Sequence, residues 1–167
     1  SILNANTRTL ENRRNTNFNI NYAYKDTKGK SFSLDADYGI IRSGNDTYNP
    51  NLYMSPSETS VLSTSIFASL TQTDIDIKTL KGDYEQNLAK GRLGLGFKLS
   101  QVITDNGFDF FDYVDNVKTK SVEKSNDFTY DERVYAAYVN YNKQFDKKWS
   151  LQAGLRLEAT KSHGMLM

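Results

Sequence analysis

Trp149-Ser150-Leu151-Gln152-Ala153-Gly154-Leu155-Arg156-Leu157-Glu158-Ala159-Thr160 is the stretch that decides the fold. Trp149, Leu151, Ala153, Leu155, Leu157 and Ala159 share one parity, and Ser150, Gln152, Gly154, Arg156, Glu158 and Thr160 share the other. Successive side chains of an extended chain point to opposite faces, so a period of two makes a strand with one apolar and one wet face. The same alternation recurs upstream. In 92–103 Leu93, Leu95, Phe97 and Leu99 oppose Gly94, Gly96, Lys98 and Ser100; in 31–41 Phe32, Leu34, Ala36, Tyr38 and Ile40 oppose Ser33, Asp35 and Asp37; in 17–25 Phe18, Ile20, Tyr22 and Tyr24 oppose Asn17, Asn19 and Asn21.

Two further strands are less regular. In 75–88 Ile75 and Ile77 lie on one parity and Leu80, Tyr84 and Leu88 on the other, which predicts either a bulge near Thr79 or isoleucines beyond the sheet. The segment 128–142 is apolar on both parities and is expected to be covered on both faces. A weaker strand is expected over 61–70, and 57–62 offers no more than one turn of helix. Short turns fall at 26–30, 87–91 and 142–148, with Gly29 supplying a positive φ. Polar stretches at 43–73 and 104–127 read as long loops. The expected fold is therefore all-β, an antiparallel up-and-down meander of about six long strands, with short turns at one edge and long loops at the other.

The composition narrows the function. The chain has 167 residues, enough for one domain, with 21 Lys+Arg against 20 Asp+Glu and a formal net charge of +1. This balance argues against a nucleic-acid partner. Without cysteine, no disulfide or thiolate chemistry exists, and one histidine, His163, excludes a His-rich metal site. No apolar run reaches the roughly 20 residues of a spanning helix. The mean hydropathy of −0.64 does not exclude a membrane barrel, whose apolar residues occupy alternate positions.

Strands of this length exceed the usual soluble strand of about five or six residues and suit a tilted membrane crossing of about nine to eleven. Tyr22, Tyr24, Phe32, Tyr141, Phe145 and Trp149 cluster near the short turns, where a barrel carries its interfacial aromatics. A secreted soluble β-sandwich binding glycans or protein partners accounts for the same alternation and stays open on pattern alone.

Several stretches resemble one family. Asp74-Ile75-Asp76-Ile77-Lys78-Thr79-Leu80-Lys81-Gly82-Asp83-Tyr84, Lys90-Gly91-Arg92-Leu93-Gly94-Leu95-Gly96-Phe97-Lys98 and Asn126-Asp127-Phe128-Thr129-Tyr130-Asp131-Glu132 lead to Ala136-Ala137-Tyr138 and the 149–160 strand, ending at Ser162 and Gly164. Together they are similar to the outer-membrane β-barrel family of TonB-dependent-receptor-like proteins, over about 15–164 and most closely in the C-terminal half. The resemblance implies a segment of the barrel domain of a receptor or transporter in the bacterial cell outer membrane. Its parent would carry a plug domain and about 22 strands and take up a nutrient ligand with inner-membrane energy. The chain starts at Ser1 without a signal-like segment and is expected to be one 1–167 piece of something longer, without plug, energy-coupling box or closing aromatic strand. Six strands make about a quarter of such a wall. Outer-membrane lipid is the expected partner, with an energy-coupling system reached through the plug, and an isolated segment should self-associate along its edges.

Candidate chemistry weighs lightly. Paired carboxylates occur at Asp35/Asp37, Asp74/Asp76, Asp109/Asp112 and Asp131/Glu132, and Asp35 and Asp37, which share one strand face beside Ser33, read as solvated wall residues. The 105–112 segment is rich in oxygen ligands but lacks the spacing of a calcium loop. Gly91, Gly94 and Gly96 are followed by a strand, which argues against a phosphate loop and leaves close backbone approach or a bend as the expectation for Gly94 and Gly96. Arg156 and Glu158 could join Arg133 or Lys98 in a lumenal charge ladder. No catalytic residue, metal ligand or cofactor is expected, and the chain does not read as an enzyme. The expected ligand contacts are Phe108, Phe110, Phe111 and Tyr113, on an external loop.

Overall fold

The computed structural model describes every residue except Glu58, Asn116 and Lys147, which fall in the 43–73, 104–127 and 142–148 connections. The strands are β1 (Ile2–Ala5), β2 (Arg8–Lys25), β3 (Ser31–Met54), β4 (Val61–Leu88), β5 (Gly91–Val114), β6 (Val117–Lys120), β7 (Asn126–Gln144) and β8 (Ser150–Leu166), with one 3₁₀ turn at Val122–Lys124. They form one antiparallel sheet in which β2, β3, β4, β5, β7 and β8 follow in order. β1 continues the β2 edge along β3, and β6 folds back on the end of β5. β2 and β8 do not pair with each other, so the sheet is open.

The six-strand meander is as the alternation predicts; the polar stretches are not loops. β3 runs to Met54 and β4 begins at Val61, so most of 43–73 is one tall hairpin, and β5, β6 and β7 take up most of 104–127. The expected 61–70 strand is the start of β4. Polar ladders hold these extensions: Thr9 Oγ1 and Thr47 Oγ1 lie 3.3 Å apart, Thr73 Oγ1 donates to Asn106 Oδ1 at 2.9 Å, and Thr129 Oγ1 donates to Asp105 Oδ1 at 2.7 Å. Cross-strand Thr and Asn pairs stabilise a ladder without an apolar face, so the hydrophobic period vanishes while the strand continues.

Two other expectations need correction. β4 keeps one register with β5 from Phe67 to Leu88, with no bulge near Thr79, and Ile75 and Ile77 stay inside the sheet opposite Thr104 and Val102. Among the described residues the one register shift lies at Tyr53/Met54. β7 is not covered on both faces, because the sheet is a single layer. Ala68 and Ala136, 2% and 5% exposed, are the only buried hydrophobic side chains among the described residues, whereas Leu155 and Leu157 are 76% and 78% exposed. A β-sandwich would bury those leucines against a second layer, and no second layer is present among the described residues.

Aspartates build two of the short turns. Asp26 accepts from the backbone N–H groups of Lys28 (2.9 Å) and Lys30 (2.7 Å), beside Gly29 at φ +83°. Asp146 accepts from those of Lys148 (2.6 Å) and Trp149 (2.8 Å). The β4–β5 turn differs: its two central residues, Ala89 (φ 50°) and Lys90 (φ 62°), are both left-handed without being glycine. Tyr141 Oη donates to Leu88 O (3.0 Å) and Ala89 O (3.2 Å) and holds the turn closed. Left-handed backbone penalises a side-chain-bearing residue by about 1–2 kcal/mol, and this two-residue turn favours glycine at its second position. Lys90→Gly should therefore stabilise the full-length protein by about 1 kcal/mol, read as a higher denaturant midpoint at unchanged slope.

Candidate functional site

Register assigns every side chain to one of two faces. Tyr24, Phe32, Tyr84, Leu95, Val139 and Leu155 form a row across all six long strands. The next row is Tyr22, Leu34, Gly82, Phe97, Ala137 and Leu157, and the third is Ile20, Ala36, Leu80, Leu99, Tyr135 and Ala159. With Leu93, Tyr141 and Ala153 nearer the short turns, these rows make a continuous apolar band. From Leu151 to Ala159 the band runs about 27 Å along the strand, or roughly 20 Å of height at the usual barrel tilt. The fourth row changes character: Phe18, Tyr38, Lys78, Gln101, Arg133 and Lys161.

The opposite face is polar over the same height. Lys81 Nζ lies 2.8 Å from Asp83, Arg92 pairs with Glu85, and Arg156 Nη2 lies 2.6 Å from Glu158. Asn19 Nδ2 donates to Asp37 at 2.6 Å, and Asn21 donates to Asp35. The expected charge ladder is not built. Arg156 closes on Glu158 within its own strand, Lys98 stands opposite Lys81 and Ala136, and Arg133 lies on the other face, 2.7 Å from Asp131. An even offset along a strand keeps a pair on one face, so these pairs form without reaching a neighbour.

Sequence reasoning missed one feature of this face. Tyr138 Oη on β7 donates to Asp83 on β4, passing over β5 at Gly96. A Cβ at Gly96 would meet the Tyr138 ring, with Cε2 2.7 Å away. Gly96 thus opens a notch for a side chain rather than for another backbone or a bend, as its spacing alone suggests. Gly91 is similar: a Cβ there would meet Tyr141 Oη and stand 2.6 Å from Asn142 O. Neither contact is visible until β5 and β7 are in register.

The aromatic residues divide by place. Tyr22, Tyr24, Phe32 and Tyr141 all lie on the apolar face toward the short turns, with the Tyr22 and Phe32 rings 6.4 Å apart. Phe145 and Trp149 flank the β7–β8 turn, where Phe145 N–H donates to Trp149 O at 2.9 Å. Phe108, Phe110, Phe111 and Tyr113 are not on a loop but in β5, and alternation splits them. Phe108 and Phe110 belong to the polar-side face, where Phe110 stacks on Phe67 at 5.5 Å and Lys124 Nζ sits 4.7 Å from its ring centroid. Phe111 and Tyr113 belong to the other face, with Lys118 4.2 Å over Phe111 and Tyr48 5.7 Å from Tyr113. Phe67, which the sequence did not single out, completes the first group.

The 105–112 carboxylates are each engaged by a neighbour: Asp105 by Thr129, Asp109 by Lys120, Asp112 by Lys124. The hydrogen bond to Asp109, with its charge, holds Lys120 above the ordinary lysine range. Among the described residues no three His, Asp or Glu groups converge as a metal site, and no helix is long and apolar enough to cross a membrane. A barrel crosses with strands.

A family match agrees with this geometry. A model of the outer membrane protein beta-barrel family matches residues 23–167. Among solved structures, the ferric citrate transporter FecA in the unliganded form is similar at 10% identity and TM-score 0.41, over 81% of this chain and 21% of that one. The ferric yersiniabactin uptake receptor FyuA from Yersinia pestis is similar at 12% identity and TM-score 0.37, over 82% and 22%. The chain therefore spans about a fifth of the length of either. No curated protein matches the sequence. The family model covers all but β1 and most of β2, and on that match the chain belongs to the outer membrane protein beta-barrel family.

Proposed function

We propose that this chain is a wall segment of a larger receptor-transporter in the bacterial outer membrane, which takes up a nutrient ligand by a TonB-dependent route. The observation that carries the reading is the mismatch between strand length and membrane thickness. β3, β4 and β5 have 24, 28 and 24 residues, against the about nine to eleven that a tilted crossing needs. The excess lies at the end away from the short turns, which in barrels is the external side. Tall external hairpins are surfaces for capturing a ligand, and the Phe67, Phe108 and Phe110 cluster on the inner side of β4 and β5 supplies an aromatic contact for it. The apolar band faces lipid, with Tyr22, Tyr24, Phe32, Tyr141, Phe145 and Trp149 at its periplasmic boundary. The free edges of β2 and β8 are continued by further strands of the parent, and energy coupling acts through a plug domain.

Two measurements on the full-length protein test this. Spin labels at positions 95, 155 and 157 should report lipid; water accessibility there would defeat the wall assignment. The full-length protein should also bind the periplasmic domain of a TonB-type coupling protein, and a wall that meets lipid without such binding would be a passive barrel.

A further inference from the structure

We infer that Lys78 and Arg133 form a binding site for the phosphate group of an outer-leaflet lipid on the outside of the sheet. The inference rests on the proposed lipid-facing assignment of the apolar band. The fourth row is the first polar row beyond that band on the long-hairpin side, and it carries Lys78, Arg133 and Lys161 and no carboxylate. Lipid phosphates lie at the height where hydrocarbon ends, so this row is the one they meet. The short-turn end holds aromatics at the corresponding level, which gives the two membrane boundaries different chemistry.

Lys78 and Arg133 also frame a concavity. A shallow depression of about 430 Å³ is lined by Lys78, Leu80, Leu99, Gln101, Arg133 and Tyr135. Its lower wall (Leu80, Leu99, Tyr135) belongs to the apolar band and its upper rim carries the two cations. β4 and β7 flank β5, so the cations stand about 10 Å apart at the backbone, within reach of one phosphate from both sides. Two carboxylates stand one row farther from the band: Asp76 is engaged by groups outside the site, and Asp131 holds Arg133 itself. Asp76 accepts from Arg42 Nη2 at 3.0 Å and from Tyr38 Oη at 3.2 Å. Asp131 accepts from Arg133 Nη2 at 2.7 Å and Gln101 Nε2 at 3.0 Å. Arg133 keeps further N–H donors in its planar fork, oriented by Asp131. Lys78 Nζ rests 5.9 Å from the Tyr38 ring centroid and, among the described residues, forms no ion pair. Cations above an apolar wall suit an amphiphile with a phosphate head and acyl tail, not a free anion.

The test uses the folded full-length protein, delipidated in maltoside micelles. Bisphosphorylated lipid A is titrated and bound lipid counted by native mass spectrometry, alongside the dephosphorylated glycolipid and inorganic phosphate. Lys78→Ala and Arg133→Gln should each weaken lipid A binding by about tenfold. Lys98→Ala, a cation on the opposite face of β5, should leave it unchanged. The dephosphorylated lipid should bind as weakly to the parent as to the variants. Heat-modifiable gel mobility establishes that each variant is folded, and an unfolded Arg133→Gln protein leaves Lys78→Ala to decide. Unchanged binding in a folded Lys78→Ala protein overturns the site, as does equal loss in Lys98→Ala. Equal binding of the dephosphorylated lipid reduces it to apolar contact, and saturable binding of inorganic phosphate reduces it to a free-anion site; both overturn it. Lipid contact at labels 95, 155 and 157 with no loss in the variants removes this inference alone, whereas water there removes both.

Discussion

Leu157→Arg in the full-length protein is expected to lower its stability by about 2–4 kcal/mol, the usual effect of a cation on the lipid face near mid-membrane. Leu157 is 78% exposed in a single-layer sheet, stands beside Ala137, and lies in the middle of the apolar rows. In water such an exposed leucine would tolerate arginine with little effect. In hydrocarbon the guanidinium must shed water without gaining a partner. Its sequence neighbour supplies the control. Arg156 faces the other way and pairs with Glu158 at 2.6 Å, both side chains about half exposed, so Arg156→Leu should change stability by less than about 1 kcal/mol. Equilibrium denaturant unfolding in lipid vesicles, with heat-modifiable gel mobility as the folding readout, measures both. A large effect at Arg156 and none at Leu157 would mean that the faces are inverted.

The same two residues explain how much of the fold was legible. Alternation at 149–160, 92–103, 31–41 and 17–25 gave strands, faces and short turns, because a membrane on one side and water on the other impose a period of two. Where that contrast ends, so does the signal. Thr9, Thr47, Thr73 and Asn106 lie in regular ladders, yet outside the membrane both faces are wet and nothing forces apolar residues onto one parity. Polar strand and polar loop then look alike in sequence, and the aromatics of 108–113 resemble a loop cluster although β5 sends them to opposite faces. The apparent bulge at Thr79 has the same origin. Ile75 and Ile77 are apolar on the inner side, toward the Phe67, Phe108 and Phe110 end of the sheet, and Leu80 and Tyr84 are apolar on the outer side. The parity changes because the apolar side changes, not because the backbone does. Lys78 and Arg133 were out of reach for another reason: they are 55 positions apart and become neighbours only through the β4–β5 and β5–β7 registers.

Gly96→Val is the second substitution expected to act strongly, with a loss of about 1–3 kcal/mol from overpacking. Valine is a favoured strand residue and glycine an unfavoured one, so local preference alone predicts a gain, and a loss must come from contact. The Cβ would meet the Tyr138 ring, with Cε2 2.7 Å away. The ring cannot simply swing aside, because its hydroxyl donates to Asp83 across β5. Displacing it leaves Asp83 with Lys81, at 2.8 Å, as its remaining partner. Tyr138→Ala alone should also destabilise, through the lost hydrogen bond and the uncovered Gly96 backbone. The two effects share one cause, since valine at 96 harms chiefly by evicting Tyr138. The double variant should therefore be more stable than the sum of the single losses predicts, by about 1 kcal/mol or more. Tyr138→Phe separates the parts: it keeps the ring over Gly96 and removes only the donor, so Gly96→Val should remain damaging in that background. Strict additivity of Gly96→Val with Tyr138→Ala, in denaturant unfolding of the full-length barrel, would mean that the notch and the tyrosine are independent and that Gly96 serves something other than this crossing.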